Sequence, residues 1–385
     1  MNFKGYVRSN GRVGVRNHVL IFPTIICASS VAQMISREVP GTVCVSHPHG
    51  CGHLGVELEH MLRTMAGFCA NPNVAGVLLV GLGCELITPE MIGAELGKSG
   101  QRYAILSIQK ESGSAAAIEK GRGIAQQLVA EAAAAKRHSV DVSELIVGVK
   151  CGGSDTLSGL TANPALGFAS DILVKNGSTV IMTEVPEMLG AEQVLLRRSA
   201  TDTVKESILR ITGDMEASVV KMGVDIRGTE PSPGNIAGGL TTLEEKSLGA
   251  ILKGGTTMIK QVTAYAERPA EKGLIIMDGP ALDAVSLTGM LAAGAQIIVF
   301  TTGRGSPLGA AIAPVIKVAT NTNMYQNMQG DMDLNAGELA DGKSSLPEMG
   351  ERIFREIIAV ASGKATRSEI LGHCEFAIHS IGPAV

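Results

Sequence analysis

The residues best suited to chemistry crowd into one short stretch, His47-Pro48-His49-Gly50-Cys51-Gly52-His53, where three imidazoles and a thiol fall within seven positions. The interleaved glycines let the backbone turn tightly. Thiolate and imidazole together suit Fe(II) or Zn(II). Cys84-Glu85 follows an apolar run, and Cys151 opens the turn Cys151-Gly152-Gly153-Ser154-Asp155. If these segments share a crevice, His47, Cys51, Cys84 and Cys151 form a metal-ligand set, with His49 and His53 beside it. Cys44 and Cys69 lie inside apolar runs and read as small buried hydrophobes. His18, His60 and His138 read as surface or structural groups.

Other segments offer binding groups. The Gly-rich turn CGGSDTLSG (151–159) presents backbone N–H groups for a carboxylate or phosphate oxygen, and Ser154, Asp155 and Asn163 can hydrogen-bond hydroxyls. No GK[ST] follows, so it is not a nucleotide P-loop. Arg304, set between glycines in TTGRGS (301–306), suits a fork onto a carboxylate. In TEVPE (183–187), Glu184 and Glu187 offer two carboxylates, although Glu187 equally suits a helix start. Arg12 and Arg16 read as structural ties.

The elements that must position these groups alternate. Strand-like runs at 19–26, 42–46, 74–83 and 103–108 are interleaved with helical spacing at 29–39, 54–69, 88–98 and 112–136. A polar stretch, 136–144, separates this unit from a second. There, strands at 144–150, 179–184, 274–278 and 296–302 alternate with helices near 165–175, 188–198, 202–222, 245–253 and 284–293. The expected fold is α/β: two doubly wound, mostly parallel-sheet units, residues 1–140 and 141–385, with Gly-rich loops forming an interdomain cleft. Ligands of such sheets sit beyond the carboxyl ends of strands, where Cys27, His47–Gly52, Cys84 and Cys151 all fall. The stretches 228–242 and 303–314 carry too much Gly and Pro for regular structure.

Composition removes several function classes. The 385 residues are 45% hydrophobic and 18% charged, with a formal net charge of −4. Neither a basic nucleic-acid surface nor an aromatic stacking platform is present, since aromatics make up 3%. Seven irregularly spaced cysteines disfavour a secreted disulfide framework. There is no signal peptide and no apolar run of roughly 20 residues to span a membrane. The expectation is a cytoplasmic protein that binds a small molecule. A nicotinamide dehydrogenase is disfavoured, because no GxGxxG follows the first strand.

Taken in order, GRVGVRN (11–17), the GCG turn with His47 upstream, NPNVAGVLLVGLGCE (71–85), CGGSDTLSGLTANPALG (151–167), TEVPEMLGAE (183–192), PSPGNIAGGLTTLEEKSLGAILKGGT (231–256), FTTGRGSPLG (300–309) and KVATNTNMYQNMQGDMDLNAG (317–337) resemble the large subunit, or C-terminal body, of the altronate/galactarate dehydratase family. The resemblance implies iron-dependent removal of water from a polyhydroxy acid to give a 2-keto-3-deoxy acid. It also implies a separate small subunit, since fused members carry a small domain ahead of the segment that starts here at Gly5. A related branch eliminates sulfite from sulfolactate. Two departures bear on the substrate: family members commonly have His-Gly-Thr-Gly-Cys-Gly where this chain has His47-Pro48-His49-Gly50-Cys51-Gly52, and a cysteine where it has Ala336.

The corresponding mechanism abstracts the proton α to the carboxylate and expels the β-hydroxyl. A metal held by His47, Cys51, Cys84 and Cys151 would stabilise the enediolate. Fe(II) is the expected ion, with Mn(II) or an iron–sulfur cluster on three thiolates as alternatives. Arg304 and the 151–155 backbone would hold the carboxylate, and Asn163, Asn235, Thr241 and Thr242 would read hydroxyls. His49, Lys317 and Glu184 are the candidate bases. A homo-oligomer of the large chain is expected, and a non-catalytic sugar-acid-binding subunit is the competing class.

Overall fold

The computed structural model describes residues 1–382. Two parallel sheets and one small antiparallel sheet make up its strands. The small sheet pairs Asn2–Val7 with Val13–Gly14 and with His138–Asp141. The polar stretch after the first unit is therefore partly a strand. Its side chains are mostly exposed, so it carries no hydrophobic alternation, and only the partner strand buries an anchor, Phe3.

The first parallel sheet has the order Thr42–Cys44, His18–Pro23, Val74–Gly81, Tyr103–Ser107. Helices Ser29–Glu38 and Ser114–Ala133 cover one face, and Val56–Cys69 and Pro89–Lys98 the other. That two-sided cover makes Val74–Gly81 nearly all apolar. Thr88 caps the fourth of these helices through the Met91 N–H at 3.2 Å, with Pro89 at its first position.

The second sheet has seven parallel strands in the order Ile259–Thr263, Gly273–Met277, Thr179–Met182, Ile146–Gly152, Ile297–Thr302, Val315–Ala319, Leu334–Asn335. Helices Ala162–Lys175 and Leu346–Ala361 pack on one face and Asp283–Ala292 on the other. Sequence reading omits Leu346–Ala361, although Ser345 and Glu348 form a capping box around Pro347. It also omits the strands Ile259–Thr263 and Val315–Ala319.

The units share a core in which Val56–Cys69 lies beside Asp283–Ala292. The two helices run in the same sense. His60 stacks on Tyr265, whose hydroxyl donates to the Val285 carbonyl, and further along the Asn71 amide donates to Leu291 and Ala295. Helices antiparallel to their own sheets and parallel to each other put the carboxyl edges of both sheets on one side of the molecule. The chain end returns to the first unit: Phe376 packs on Phe22 and Phe68, and Glu57 accepts bonds from Ser380 and Ile381. No helix among the described residues is long and apolar enough to cross a membrane.

Candidate active site

At the carboxyl edge of the four-stranded sheet, the cysteine loops are pinned together. Ile26 N–H donates to the His49 carbonyl, and the Gly50 carbonyl accepts from Leu86. Glu85 is buried and closes its own loop, accepting from Thr24 Oγ1 at 3.0 Å and from the Leu82 and Gly83 N–H groups. Cys27, Cys51 and Cys84 are exposed. His47 is hydrogen-bonded through both ring nitrogens. Its Nε2 donates to the Pro23 carbonyl at 2.7 Å and its Nδ1 accepts from the His49 N–H at 3.2 Å, so both ring nitrogens are used. Burial holds its pKa down at about 4, so the ring is neutral. His49 is half-buried, with its ring 5.4 Å from that of His53, and His53 lies 3.7 Å from Glu57.

Cys151 does not join them. The strand Ile146–Gly152 is the point at which the seven-stranded sheet changes direction: the chain leaves it toward Thr179–Met182 and later returns to its other side at Ile297–Thr302. A crevice opens outside the carboxyl ends there. Its floor is a buried charge cluster. Lys150 Nζ contacts the Glu184 carboxylate and lies 2.7 Å from Asp283. Lys253 Nζ lies 2.8 Å from Glu184, 3.1 Å from Cys151 Sγ and 3.4 Å from Glu187. The Cys151 thiol donates to Glu187 at 3.0 Å. Lys246 links Glu187 at 3.7 Å to Glu230 at 2.8 Å.

Above this floor is a cavity of about 570 Å³, bordered by Lys150, Ser154, Glu230, Asn235, Lys246, Asp283 and Arg304. Every residue around it comes from positions 150–305, so it lies within the second unit rather than between the two. Gly152 has to be glycine, because a Cβ would meet the Asp283 carboxylate at 2.8 Å and Phe300 at 2.6 Å.

The electrostatics follow from mixed charges kept out of water. Burial pushes Glu184 up, and Glu187 adds to this against the pull of Lys150 and Lys253. Glu187 feels burial too, but Lys253, Lys150 and Lys246 outweigh it and hold its carboxyl down. Burial works against the Lys150 ammonium, yet Glu184, Asp283 and Glu187 overcome it, so Lys150 stays protonated. Burial and Glu187 raise the Cys151 thiol. Glu184 holds its carboxylate from a left-handed backbone (φ 78°), rare for a non-glycine residue. Such strain persists only where surrounding contacts impose it.

Several expected hydroxyl readers are engaged elsewhere. Asp155 accepts from Ser158, Thr320 and Asn321, tying the 151–155 turn to the end of Val315–Ala319, two strands away in the sheet. Asn163 is buried between Thr301 and the Gly249 carbonyl. Thr241 bonds Glu245, and Thr242 caps the helix Leu243–Ala250. Ser154, Asn235 and Arg304 do reach the cavity. Arg304 is exposed and spends one N–H on the Gly234 carbonyl at 3.1 Å. Sequence reading missed Lys150, Lys246, Lys253 and Asp283 and left Glu187 open between a site carboxylate and a helix start. A lysine within an otherwise apolar strand run was the one local signal, since a charge there requires a partner.

Lys317 is buried away from the cavity. Its Nζ has no hydrogen-bond partner, and burial lowers its pKa to about 8. Lys317→Met is expected to retain turnover and to stabilise the protein by about 1–3 kcal/mol at pH 7, by removing an unpaired buried polar group. Because the folded pKa is depressed, the unfolded chain binds the extra proton between pH 8 and the ordinary lysine value. Wild-type stability therefore rises across that window and the advantage of methionine shrinks. Thermal melts at neutral and alkaline pH, with turnover alongside, check both points.

The profile described as "D-galactarate/Altronate dehydratase, C-terminal" matches residues 142–384, and "D-galactarate dehydratase/Altronate hydrolase, second domain" matches residues 5–133. Altronate dehydratase of Bacillus subtilis is 37% identical, the match covering 99% of this chain and 78% of that protein. Galactarate dehydratase (L-threo-forming) of Escherichia coli is also 37% identical, over 99% and 77%. The (2R)-sulfolactate sulfo-lyase subunit beta of Chromohalobacter salexigens is 34% identical, over 98% and 96%. With both profiles in order along one chain and relatives matched over nearly its whole length, this protein belongs to the D-galactarate/altronate dehydratase family.

Proposed function

We propose that this chain is the catalytic body of a hydro-lyase that removes water from a galactarate- or altronate-like sugar acid, giving a 2-keto-3-deoxy acid. The observation that carries the reading is the Lys150–Asp283 pair at the base of the crevice, with Arg304 and Lys246 bordering the same cavity. Arg304 and Lys246 bind the substrate carboxylate, whose charge would otherwise oppose loss of the α-proton. Asp283, about one-third exposed, is the bordering carboxylate outside the Lys246 bridge and takes the proton from C2. Lys150, kept protonated, stabilises the enediolate and protonates the departing C3 hydroxyl. Glu184 and Lys253 are positioning residues that hold Lys150 from below. Ser154 and the Asn235 side of the cavity face the remaining hydroxyls.

Iron, which the family resemblance implies, was tested against the residues present. Cys151, Glu184 and Glu187 place ligand atoms within 4.8 Å of one another, a spacing that could hold a metal ion. The Lys253 ammonium, however, contacts all three and occupies the place a cation would take. The other expected set loses His47 to its two hydrogen bonds and Cys151 to this cluster. Neither set fits an ion as arranged, and no step is routed through one.

A sulfite-eliminating reading is favoured by one finding, the sulfolactate relative matched over 96% of its length. Its name as a subunit also supports a second, smaller chain as partner. Reconstitution with a cognate small subunit, followed by anaerobic assays on sugar acids and sulfolactate for 2-keto acid and sulfite, tests both. Sugar-acid turnover without sulfite is expected. Binding of sugar acids with no product from any acid would instead indicate a non-catalytic binding subunit.

A further inference from the structure

We propose that Cys151 and Lys253 are a redox modification site, at which dioxygen joins them through a single oxygen atom, Sγ–O–Nζ. The thiol and the ammonium nitrogen are already 3.1 Å apart, on a strand end and a helical turn 102 residues away in sequence. Both side chains are about 1% exposed, so they are held in place and shielded from bulk thiols. Cys151 also borders the cavity, which gives a small apolar gas a route to the sulfur. Glu187 touches both reacting atoms, and Glu184 lies 2.8 Å from Nζ.

The step balances. One Lys–NH3⁺, one Cys–SH and one O2 give Lys–NH–O–S–Cys, one water and one proton. Sulfur and nitrogen each lose two electrons and dioxygen accepts all four. One O–O bond breaks, S–O and N–O bonds form, and the released proton passes to the Glu184 carboxylate. The cross-link removes the positive charge beneath Lys150 and ties the strand end to the turn, which would silence the cluster. Burial of the pair excludes the stepwise over-oxidation that exposed thiols suffer.

The test uses the full chain, exposed to air at neutral pH and digested without reductant. Linked peptides containing Cys151 and Lys253 are expected, their joint mass raised by one oxygen and lowered by two hydrogens. Dithiothreitol should return the separate peptides, and Lys253→Arg should yield none. A persistently free Cys151 thiol, a sulfinic or sulfonic acid there, or a direct nitrogen–sulfur link lacking the oxygen would each overturn the proposal. Mass is read independently of turnover, so failure of the cross-link and failure of the dehydratase reading are separate results.

Discussion

Lys150→Met is expected to lower kcat about 10³- to 10⁴-fold, because the variant loses both the proton donor to the leaving hydroxyl and the charge that stabilises the enediolate. Methionine, unbranched but one atom shorter, gives up the Lys150 Nζ–Phe300 ring contact, while most of the apolar stem survives. The charge balance does not. Glu184 would keep only Lys253, and Asp283 would lose its partner at 2.7 Å. Removing one member of a buried ion pair typically costs about 3–5 kcal/mol. A folded variant with a lower melting temperature and 2-keto acid formation slowed to that extent is the expected result. A folded variant that turns over at the wild-type rate would dismiss Lys150 as the acid and with it the mechanism. Denaturant melts run in parallel separate the stability loss from the chemical one.

Arg304→Ala is expected to raise KM about 10- to 100-fold while kcat changes by less than about threefold. Arg304 is exposed on the cavity rim and makes one bond to a backbone carbonyl, so its loss leaves the fold intact. A charge-assisted bond to a carboxylate contributes about 1.5–3 kcal/mol, which sets the size of the effect. The interaction exists before and during the reaction, so it appears in KM rather than kcat. Arg304→Lys should recover part of the loss, since an ammonium keeps the charge but not the fork. An unchanged KM for every sugar acid would remove Arg304 from the carboxylate site.

Much of the fold is legible because burial writes itself into hydrophobic pattern. Val74–Gly81 and Ile297–Thr302 are covered on both faces and read as apolar runs, so their places in parallel sheets follow directly. His138–Asp141 is mostly exposed at an edge and leaves no such trace. Val315–Ala319 was obscured because Lys317 interrupts its run.

The candidate site divides in the same way. Cys27, Cys51 and Cys84 could be placed at a sheet edge from strand order, and the structure does gather their loops there. That Cys151 turns instead to Lys253 and Glu187 depends on which strand it follows in a separate sheet, and no local spacing encodes that.

Composition, the alternation of apolar runs and the collinear motifs thus determined the α/β class, the family and the segments that matter. Tertiary structure alone decided which groups meet. Lys150, Glu184, Lys253 and Asp283 are more than a hundred residues apart from end to end, and nothing along the chain pairs them. Only parallel strands ending side by side, with a helix entering from each face, bring them within hydrogen-bonding distance. Taken out of water together, they must pair with one another, and that enforced pairing is what places a protonated lysine beside a carboxylate in an open crevice.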